Sequence, residues 1–474
     1  MKNQLIYPAN ILLPAADTSL ARWAVVAVDQ FTSEPEYWQA VEQYVGDAPS
    51  TLRLVLPEIH LSEAETRIPA MQAAMRDYLA RGVLEERVHD GYVLVERATS
   101  AGARVGLIAR LDLEKYDYAP GAQSLIRATE GTVLERVPPR VRMRRGAALE
   151  LPHVLMLLDD ARQCAIEPLY AQRSALELLY DFELMQGGGR VRGWRVNDAA
   201  AQALDAALDA LYENCGGLML AVGDGNHSLA AARAYWLELR DHLTPAERET
   251  HPARFALAEI ENLHSPAIVF EPIHRLITGV SPAELIRDYE AHLRGAGLPL
   301  RAGRELTLLA DGEARGYGFD AHPLRDLQAF LDNWLAAHPD ARIDYIHGDD
   351  ALRRLADRPD AVGLMLCGFA KADLFPYIRK WGVLPRKTFS MGHAHEKRYY
   401  LEARRIERAL RGLIRKTAFA AACPDADRQY AKTGVSFYTD AGFDVDKVSR
   451  LIGRYIYGAA YISNSLPSIF PAAT

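Results

Sequence analysis

The stretch "LMLAVGDGNHSLAAARAYW", residues 218–236, decides how its part of the chain folds. Its first five residues are apolar and have the length of a buried strand. After the two glycines, apolar residues recur at the spacing of one helix face, at Leu229, Ala232 and Trp236. The stretch therefore predicts a strand that passes into a helix through a tight glycine turn.

This glycine turn has the chemistry of an anion-binding site. Gly223 and Gly225 allow backbone angles closed to other residues and let a ligand approach the main chain. The first amides of the helix, from Asn226 on, have no partner inside the helix and carry the positive end of its dipole. Phosphate is the usual anion at such a position. His227 can donate to a phosphate oxygen or transfer a proton near neutral pH, and Ser228 offers a hydroxyl.

Asp224, between the two glycines, would repel a phosphate group. The sequence predicts instead that Asp224 contacts Mg²⁺ or holds a hydroxyl of the substrate. A plainer interpretation stays open at this point. In it, Gly-Asp-Gly is only a tight turn and His227 is a hydrogen-bonded side chain without a ligand.

Length and composition restrict the class of protein. A chain of 474 residues is longer than one ordinary compact core needs. A net charge of −7 gives no attraction of the whole chain to nucleic acid or anionic lipid, so we expect a small-molecule partner. The four cysteines form no CxxC pair, the start of the chain lacks the unbroken apolar core of a secretory signal, and no apolar run approaches the roughly 20 residues that cross a bilayer. These features predict a cytoplasmic protein.

Strand and helix signals alternate along the chain. "GYVLVE" and "RVGLIARLDL", residues 91–96 and 104–113, predict an antiparallel hairpin, which makes the sheet mixed. We therefore predict an α/β (α+β) fold in which helices flank a mixed sheet. The expected division is a first α/β region at 1–245, which carries the glycine turn, and a second α/β region at 246–474, with basic helices near its end. The alternative is that both regions pack as one elaborated α/β unit.

Positive charge concentrates in residues 379–416, which hold twelve Lys and Arg against three Glu. A helical pattern is predicted in this region around 397–416, and a second one further along the chain at 444–460. Solvated helix faces explain many of these charges. The candidates for contributing to an anion site are Arg386, Lys387, Lys397 and Arg398.

A second basic stretch, "ERVPPRVRMRRG" at 135–146, contains a Pro-Pro pair that favours an exposed connection. In "MGHAHEKRYY", His393 and His395 with Glu396 raise the alternative of a zinc site, which would need further ligands from elsewhere. We favour a polar loop that faces the same pocket as Lys387.

Two acidic residues are candidates for a catalytic base. In "VAVDQFTSEPEYW", residues 26–38, Asp29 ends a strand and Glu34 precedes a predicted helix. Strand ends are where α/β proteins keep catalytic groups. The alternative is that Ser33 and Glu36 form a capping box for the helix.

The glycine turn resembles the "ADGHHRYEA" signature of the DUF1015 family, a set of bacterial and archaeal proteins. Four further stretches resemble that family in the same order along the chain, which extends the match over most of it. They are "GARVGLIARLDLEKYD" at 102–117, "RGWRVND" at 192–198, "FEPIHRLI" at 270–277 and "LPRKT" at 384–388. In addition, Glu130 and Thr132 match a His-Glu-x-Thr element of the family, where Thr129 replaces the His.

The signature is also similar to that of ParB/sulfiredoxin-like proteins, which include an ADP-dependent free-serine kinase. This resemblance implies a ParB/sulfiredoxin-like core, an early carboxylate that acts as the base, and a nucleotide held at Gly223, Asp224, Gly225, Asn226, His227 and Ser228. The stretches that resemble DUF1015 add Arg275, in "FEPIHRLI", and Arg386 and Lys387, in "LPRKT", as candidate contacts to the ligand. Asn226 replaces a His of the signature and Ser228 replaces its Arg, so a bidentate guanidinium contact to phosphate is missing.

Three hypotheses about function remain. The first is a small-molecule phosphotransferase that uses ADP or ATP with Mg²⁺, with Asp29 or Glu34 as the base and His227 beside the phosphates. The second is a nucleotide-responsive binding protein without turnover. The third is a hydrolase or isomerase of a phosphorylated metabolite.

Overall fold

The computed structural model describes residues 5–298 and 300–407 of the chain. The strands in this part are, in chain order, β1 (Ile6–Tyr7), β2 (Ala9–Pro14), β3 (Val25–Val26), β4 (Leu84–Gly91), β5 (Val93–Thr99), β6 (Gly102–Asp112), β7 (Tyr116–Asp117), β8 (Ile126–Ala128), β9 (Leu149–Glu150), β10 (Leu155–Leu158), β11 (Glu177–Glu183), β12 (Arg190–Arg195), β13 (Leu220–Asp224), β14 (Phe255–Asn262), β15 (Phe270–Thr278), β16 (Arg301–Ala310), β17 (Glu313–Gly318), β18 (Arg342–His347), β19 (Ala361–Leu366), β20 (Phe389–Met391), β21 (Tyr399–Tyr400) and β22 (Arg404–Arg405).

The helices of the same part cover the sheets or connect their strands. They are α1 (Leu20–Trp23), α2 (Pro35–Val45), α3 (Ala64–Arg81), α4 (Val137–Arg144), α5 (Ile166–Ala171), α6 (Asp198–Asn214), α7 (Asn226–Arg240), α8 (Pro245–Thr250), α9 (Pro282–Gly295), α10 (Leu324–Ala337), α11 (Asp349–Ala356) and α12 (Leu374–Trp381). None of these described helices has both the length and the apolar character that a membrane span requires.

The larger sheet has ten strands in the order β11-β12-β5-β6-β14-β10-β13-β8-β7, with β1 paired to β6. The predicted hairpin is present as β5 and β6, which pair antiparallel from Val93 opposite Ile108 to Thr99 opposite Gly102. β10 runs antiparallel to β13 but parallel to β14. The prediction of a mixed α/β fold is therefore confirmed.

Helices α6 and α7 cover one face of this larger sheet. Leu204 and Leu208 of α6 and the predicted face of α7, which includes Leu229 and Trp236, are buried in one core cluster with strand residues such as Met156. Because Leu229 and Trp236 are fully buried, the apolar spacing that predicted this helix also fixes which side of it faces the sheet.

The smaller sheet has six strands, in the order β17-β16-β19-β15-β18, with β20 paired to β15. Its core is formed with α9 and α10, which contribute Tyr289 and Leu331 among other buried residues. A separate apolar cluster joins the two sheets, in which the rings of Phe270 and Phe389 stack at 3.8 Å near Ala221 of β13. The end of β13 therefore lies where the two sheets meet.

The chain does not leave the larger sheet at the division expected from the sequence. β14, which follows residue 245, pairs with β6 and β10 in the larger sheet. After the smaller sheet, β21 and β22 return to pair with β3 and β9 near the start of the chain. The assignment of two domains at 1–245 and 246–474 remains a prediction.

The helix predicted to begin near residue 397 is wrong in its described part. Tyr399 and Tyr400 instead pair antiparallel with Val26 and Val25, and Arg404 pairs with Glu150. Burial overrides the helical pattern here, because almost every side chain from residue 399 to 406 is inside the protein. The remainder of that helix and the one predicted at 444–460 lie outside the described residues.

Candidate functional site

The predicted strand, turn and helix are present at residues 220–240, where β13 ends at Asp224 and α7 begins at Asn226. Gly225 precedes the helix with a φ of +81°, a conformation that favours glycine. A Cβ atom on Gly223 would lie 2.7 Å from Cε of Met391 and 2.9 Å from Cδ2 of Leu155. Both glycines are therefore required, one by its backbone angle and the other by close packing.

The first turn of α7 opens into a cavity of about 900 Å³ between the two sheets. Its walls bring together most of the stretches that the sequence singled out. They are contributed by parts of 29–32, 129–140, 223–228, 271–274, 347–349 and 387–397, together with His153. The glycine turn is therefore part of a composite site rather than an isolated surface feature.

His227 lines this cavity as a neutral imidazole. Its Nε2 accepts a hydrogen bond of 3.2 Å from the amide of Val133, which leaves the ring proton on Nδ1. Burial, together with the positive charges of Arg140 and Arg136, lowers the pKa of His227 to about 4. At neutral pH the ring is therefore a hydrogen-bond donor through Nδ1, and it does not titrate there in the ligand-free protein.

Arg140 reaches the cavity from a helix that the sequence did not predict, and Arg136 from the residue that precedes this helix. Residues 135–146, expected to form an exposed connection, contain α4, and the two prolines lie in its first turn, where a missing amide costs no helical hydrogen bond. Arg136 and Arg140, four residues apart, both form ion pairs with Glu58. This pairing holds two guanidinium groups at the cavity beside His227.

A chain of hydrogen-bond contacts links the Val28 amide to the Ser228 hydroxyl. The Val28 amide donates to Oη of Tyr400 at 3.4 Å, and this hydroxyl contacts Nδ1 of His153 at 2.8 Å. His153 Nε2 then contacts Oγ of Ser228 at 3.0 Å. If each group donates in that order, the proton of Ser228 is left for a ligand.

Asp29 lies at the same end of the cavity and is held as a carboxylate. Burial raises the pKa of Asp29, but the combined effect of His153, the hydrogen bond from the Gln30 amide and Lys397 is larger, so the net pKa lies below its usual value. The amide group of Gln30 donates to Oδ1 of Asp29 at 3.0 Å. Asp29 is thus ionised at neutral pH and surrounded by groups that hold it in place.

Asp224 pairs with a lysine instead of facing the ligand alone. Its Oδ2 lies 3.2 Å from Nζ of Lys397, and its Oδ1 accepts a hydrogen bond of 2.9 Å from the amide of Gly225. The pair carries no net charge, so the repulsion that the sequence predicted between Asp224 and a phosphate is offset. The lysine that offsets it comes from the basic stretch that follows residue 379.

On the opposite wall, a buried arginine fixes the loop that carries Lys387. The guanidinium of Arg275 is fully buried and donates to the carbonyl of Arg386 at 3.0 Å and to the carbonyl of Ile273. Lys387 follows directly, with a φ of +56°, which is uncommon for a residue with a side chain. Burial raises the pKa of the neighbouring Glu130, against the opposing effect of Lys387.

Three of the predicted site residues do not line the cavity. Glu34 is exposed and precedes α2 without a side-chain cap, so the capping box proposed for Ser33 and Glu36 does not form either. Arg275 lies behind the cavity wall, and Arg386 points to Asp332 and Tyr345.

Of the other basic candidates, Lys397 lines the cavity, whereas Arg398 is buried away from it and pairs with Glu259 and Glu402. In the predicted alternative zinc site, only His393 reaches the cavity. Glu396 accepts hydrogen bonds from the amides of Ser100 and His393, so its carboxylate is already engaged.

The described carboxylates of the cavity do not form a metal-binding cluster by themselves. Among the described residues, the one group of three His, Asp or Glu close enough to share an ion lies elsewhere, at Glu284, Asp288 and His338. Asp349 lines the cavity and is held by Nε2 of His274 at 2.9 Å. Mg²⁺ usually takes one or two carboxylates together with phosphate oxygens, so Asp349 is suited to hold it with a phosphate.

The family comparison agrees with the resemblance read from the sequence. A family model described as "Protein of unknown function (DUF1015)" matches residues 6–413, which is most of the chain. The chain belongs to the DUF1015 family. Search of the curated proteins gave no match.

Solved structures similar to this DUF1015 protein have low identity. A free serine kinase variant in complex with ADP matches with 12% identity and a TM-score of 0.35, covering 63% of this chain and 92% of its own. Truncated SbnI from Staphylococcus aureus matches with 8% identity and a TM-score of 0.33, covering 60% and 82%. A conserved hypothetical protein from Pyrococcus furiosus has 10% identity, a TM-score of 0.31 and coverage of 62% and 90%. Likenesses this weak carry no functional argument.

The sequence reading of this DUF1015 protein missed several side chains at its cavity, among them Arg136, Arg140, His153 and Asp349. The i, i+4 spacing of the two arginines directly around a Pro-Pro pair was a usable signal, since proline is favoured in the first turn of a helix. No comparable signal marks His153, whose position depends on contacts with Tyr400 and Ser228.

Proposed function

We propose that the protein binds a phosphate-bearing small molecule, with ADP or ATP as the first candidates, and transfers its terminal phosphoryl group to a hydroxyl of a second small molecule. The observation that carries this proposal is the meeting of the first turn of α7, the ionised Asp29 and four basic side chains at one cavity. Those side chains are Arg136, Arg140, Lys387 and Lys397.

The mixture of charges in the cavity favours a phosphate that arrives with a cation. The ionised Asp29 would repel a bare phosphate, whereas the arginines and lysines attract one. If a phosphate shared Mg²⁺ with Asp349, the cation would face the carboxylates of the cavity and the phosphate oxygens would face its arginines and lysines. In a phosphoryl transfer, such an ion neutralises the charge of the phosphate oxygens.

Asp29 is suited to receive the proton of the attacking hydroxyl. In the transfer, the acceptor oxygen forms a bond to phosphorus as the bond from phosphorus to the bridging oxygen breaks, and the hydroxyl proton passes to the Asp29 carboxylate. His227, Ser228 and the amides at the start of α7 would donate to the phosphate oxygens. Most of the rate enhancement then comes from positioning and electrostatics.

An unpartnered polar atom at the turn supports a ligand with a hydrogen-bond donor. The side-chain oxygen of Asn226 is buried and accepts no hydrogen bond from any described residue. Leaving such an atom unpaired costs about 1–3 kcal/mol. A ribose hydroxyl or an acceptor hydroxyl would supply the missing donor.

The test combines binding and turnover. Calorimetry with Mg²⁺ measures the affinities for ADP and ATP, and ³¹P NMR follows transfer to hydroxylated metabolites and to water. We expect the Asp29→Asn variant to bind nucleotide as well as or better than the wild type, because a negative charge is removed. Its transfer rate should fall at least about 100-fold, the usual contribution of a positioned base.

Glu34→Gln is the matched control, since it removes a carboxylate of the same segment outside the cavity, and it should change neither quantity. Absence of nucleotide binding at millimolar concentration would overturn the proposal. Binding without transfer to any acceptor would overturn its catalytic part and favour a nucleotide-responsive binding protein.

A further inference from the structure

A second cavity, of about 150 Å³, adjoins the candidate site on the far side of Ser228. We call it the apolar chamber, because most of its walls are aliphatic or thioether side chains. They include Leu54, Met71, Met75, Met143, Leu229 and Leu257. Arg140, His153 and Ser228 line both the apolar chamber and the larger cavity, so the two spaces meet at these residues.

The charged groups at the apolar chamber are paired with one another. Glu58 pairs with Arg140, and Glu150 pairs with Arg144. His153 is engaged on both ring nitrogens, by Tyr400 and by Ser228. A polar group that entered would have to compete with these pairs, whereas an apolar group gains about 25 cal/mol for each Å² that it removes from water.

The volume and composition of the apolar chamber define the group that it fits. A cavity of about 150 Å³ lined by aliphatic side chains accommodates a group the size of benzene. Three methionines in the wall add adaptability, because their unbranched side chains adjust to irregular shapes and make favourable contacts with aromatic rings. A nucleobase is a poorer occupant, since its ring nitrogens and exocyclic groups would be buried among aliphatic side chains.

Ser228 lies at the boundary between the apolar chamber and the larger cavity. It lies in the first turn of α7, so a phosphate at that turn and an apolar group in the chamber would be neighbours on one ligand. Its Oγ contacts Nε2 of His153 at 3.0 Å, and both side chains line the chamber as well as the larger cavity. The chamber therefore adjoins the phosphate-binding turn at residue 228.

We propose that the apolar chamber is a specificity subsite of the candidate active site, and that the acceptor or product carries an aromatic or branched aliphatic group of about six carbon atoms close to its phosphorylated oxygen. This inference rests on the proposed function, because it uses the phosphate position at the glycine turn. It adds the substrate class, which the larger cavity does not define.

The test compares two phosphate monoesters that differ only in their organic group. Calorimetry measures the affinities of phenyl phosphate and methyl phosphate for the full chain. We expect phenyl phosphate to bind about tenfold more tightly, from burial of the ring. Ala232→Leu, which adds side-chain volume at the chamber wall, should abolish the preference and leave the affinity for methyl phosphate unchanged.

Ala203→Leu makes the same chemical change on the exposed face of α6 and should keep the tenfold preference. Met143→Phe fills the chamber from the half-buried side of α4 and replaces Ala232→Leu if that variant does not fold. Equal affinities of the wild type for the two esters would overturn the assignment of the chamber as a specificity subsite but leave the phosphate site intact. If neither ester binds, the phosphate site fails, and this inference fails with it.

Discussion

The two walls of the cavity hold their positive charges in different ways. On the wall formed by the larger sheet, Arg136 and Arg140 share Glu58, so their charge is partly neutralised before a ligand arrives. On the wall formed by the smaller sheet, Lys387 is exposed, and among the described residues no carboxylate forms an ion pair with its ammonium group, although the neighbouring Glu130 interacts with its charge. An unpaired cation gains more from an incoming phosphate than a paired one. We therefore expect the larger-sheet wall mainly to position a ligand and the Lys387 wall to contribute more of the electrostatic attraction.

Arg275 holds the loop that carries Lys387. Removing the Arg275 guanidinium has the largest expected effect, which is on the stability of the protein. Arg275→Met would remove the guanidinium that donates to the buried carbonyl of Ile273, to the partly buried carbonyl of Arg386 and to the buried side chain of Gln328. At about 1–3 kcal/mol for each unpaired group, we expect the free energy of unfolding to fall by about 3 kcal/mol. Urea denaturation measures it.

Arg386→Met is the matched control for that substitution. It removes a guanidinium of the same loop whose partner, Asp332, is exposed, so the loss should stay below about 1 kcal/mol. Equal destabilisation by the two variants would contradict the assignment of Arg275 as the residue that positions Lys387.

The two walls should also differ in their contributions to anion affinity. For pyrophosphate binding measured by calorimetry, we expect Lys387→Met to weaken the affinity by about 10- to 30-fold, the value of one charge-assisted contact. Arg136→Met should weaken it by no more than about threefold, because the Arg136 side chain is half exposed and already paired with Glu58. The reverse order would refute the distinction drawn between the walls.

The smallest predicted effect is a shift in titration. NMR should give His227 a pKa of about 4, because burial and the two arginines of its wall disfavour the imidazolium form. Bound pyrophosphate should raise that pKa, since it adds negative charge beside the ring. His227→Gln is the control that assigns the resonance.

The stability conferred by neutral His227 follows from the same pKa. It is complete above the unfolded-state pKa of about 6.5 and is lost as pH falls toward 4, because the unfolded chain takes up the proton first. The difference in melting temperature between the wild type and His227→Gln should change in that direction. A normal pKa for His227 would contradict both the burial of its ring and the placement of Arg136 and Arg140 beside it.

Local pattern was sufficient for the elements closest to the glycine turn. The apolar run before Gly223 and the spacing of Leu229 and Trp236 predicted the strand and the helix, because each depends on neighbours within a few turns of chain. Local pattern failed at residues 135–146, where the prolines were interpreted as a break although they lie in the first turn of α4. It also failed at Tyr399 and Tyr400, which are buried and pair with β3 as a strand.

The candidate site was predicted in part for the same reason. Asp29, Lys387 and residues 223–228 were singled out by residue type and position, and all line the cavity. Arg275 was chosen as a ligand contact, yet it acts on the main chain behind Lys387, and a one-dimensional pattern does not distinguish the two roles. Whether a guanidinium faces solvent or a buried carbonyl depends on packing between β15 and the 386–387 loop.

By itself the sequence determined the strand, the glycine turn and the helix start, because main-chain angles and amide positions there follow from nearby residues. The tertiary structure decided everything that makes the turn a composite site. It supplied Lys397 to neutralise Asp224, burial together with Arg136 and Arg140 to keep His227 neutral, and the apolar chamber behind Ser228. These groups are far apart in the chain, and only tertiary packing, such as that of α4 against α7, brings their charges within the few ångströms over which they act.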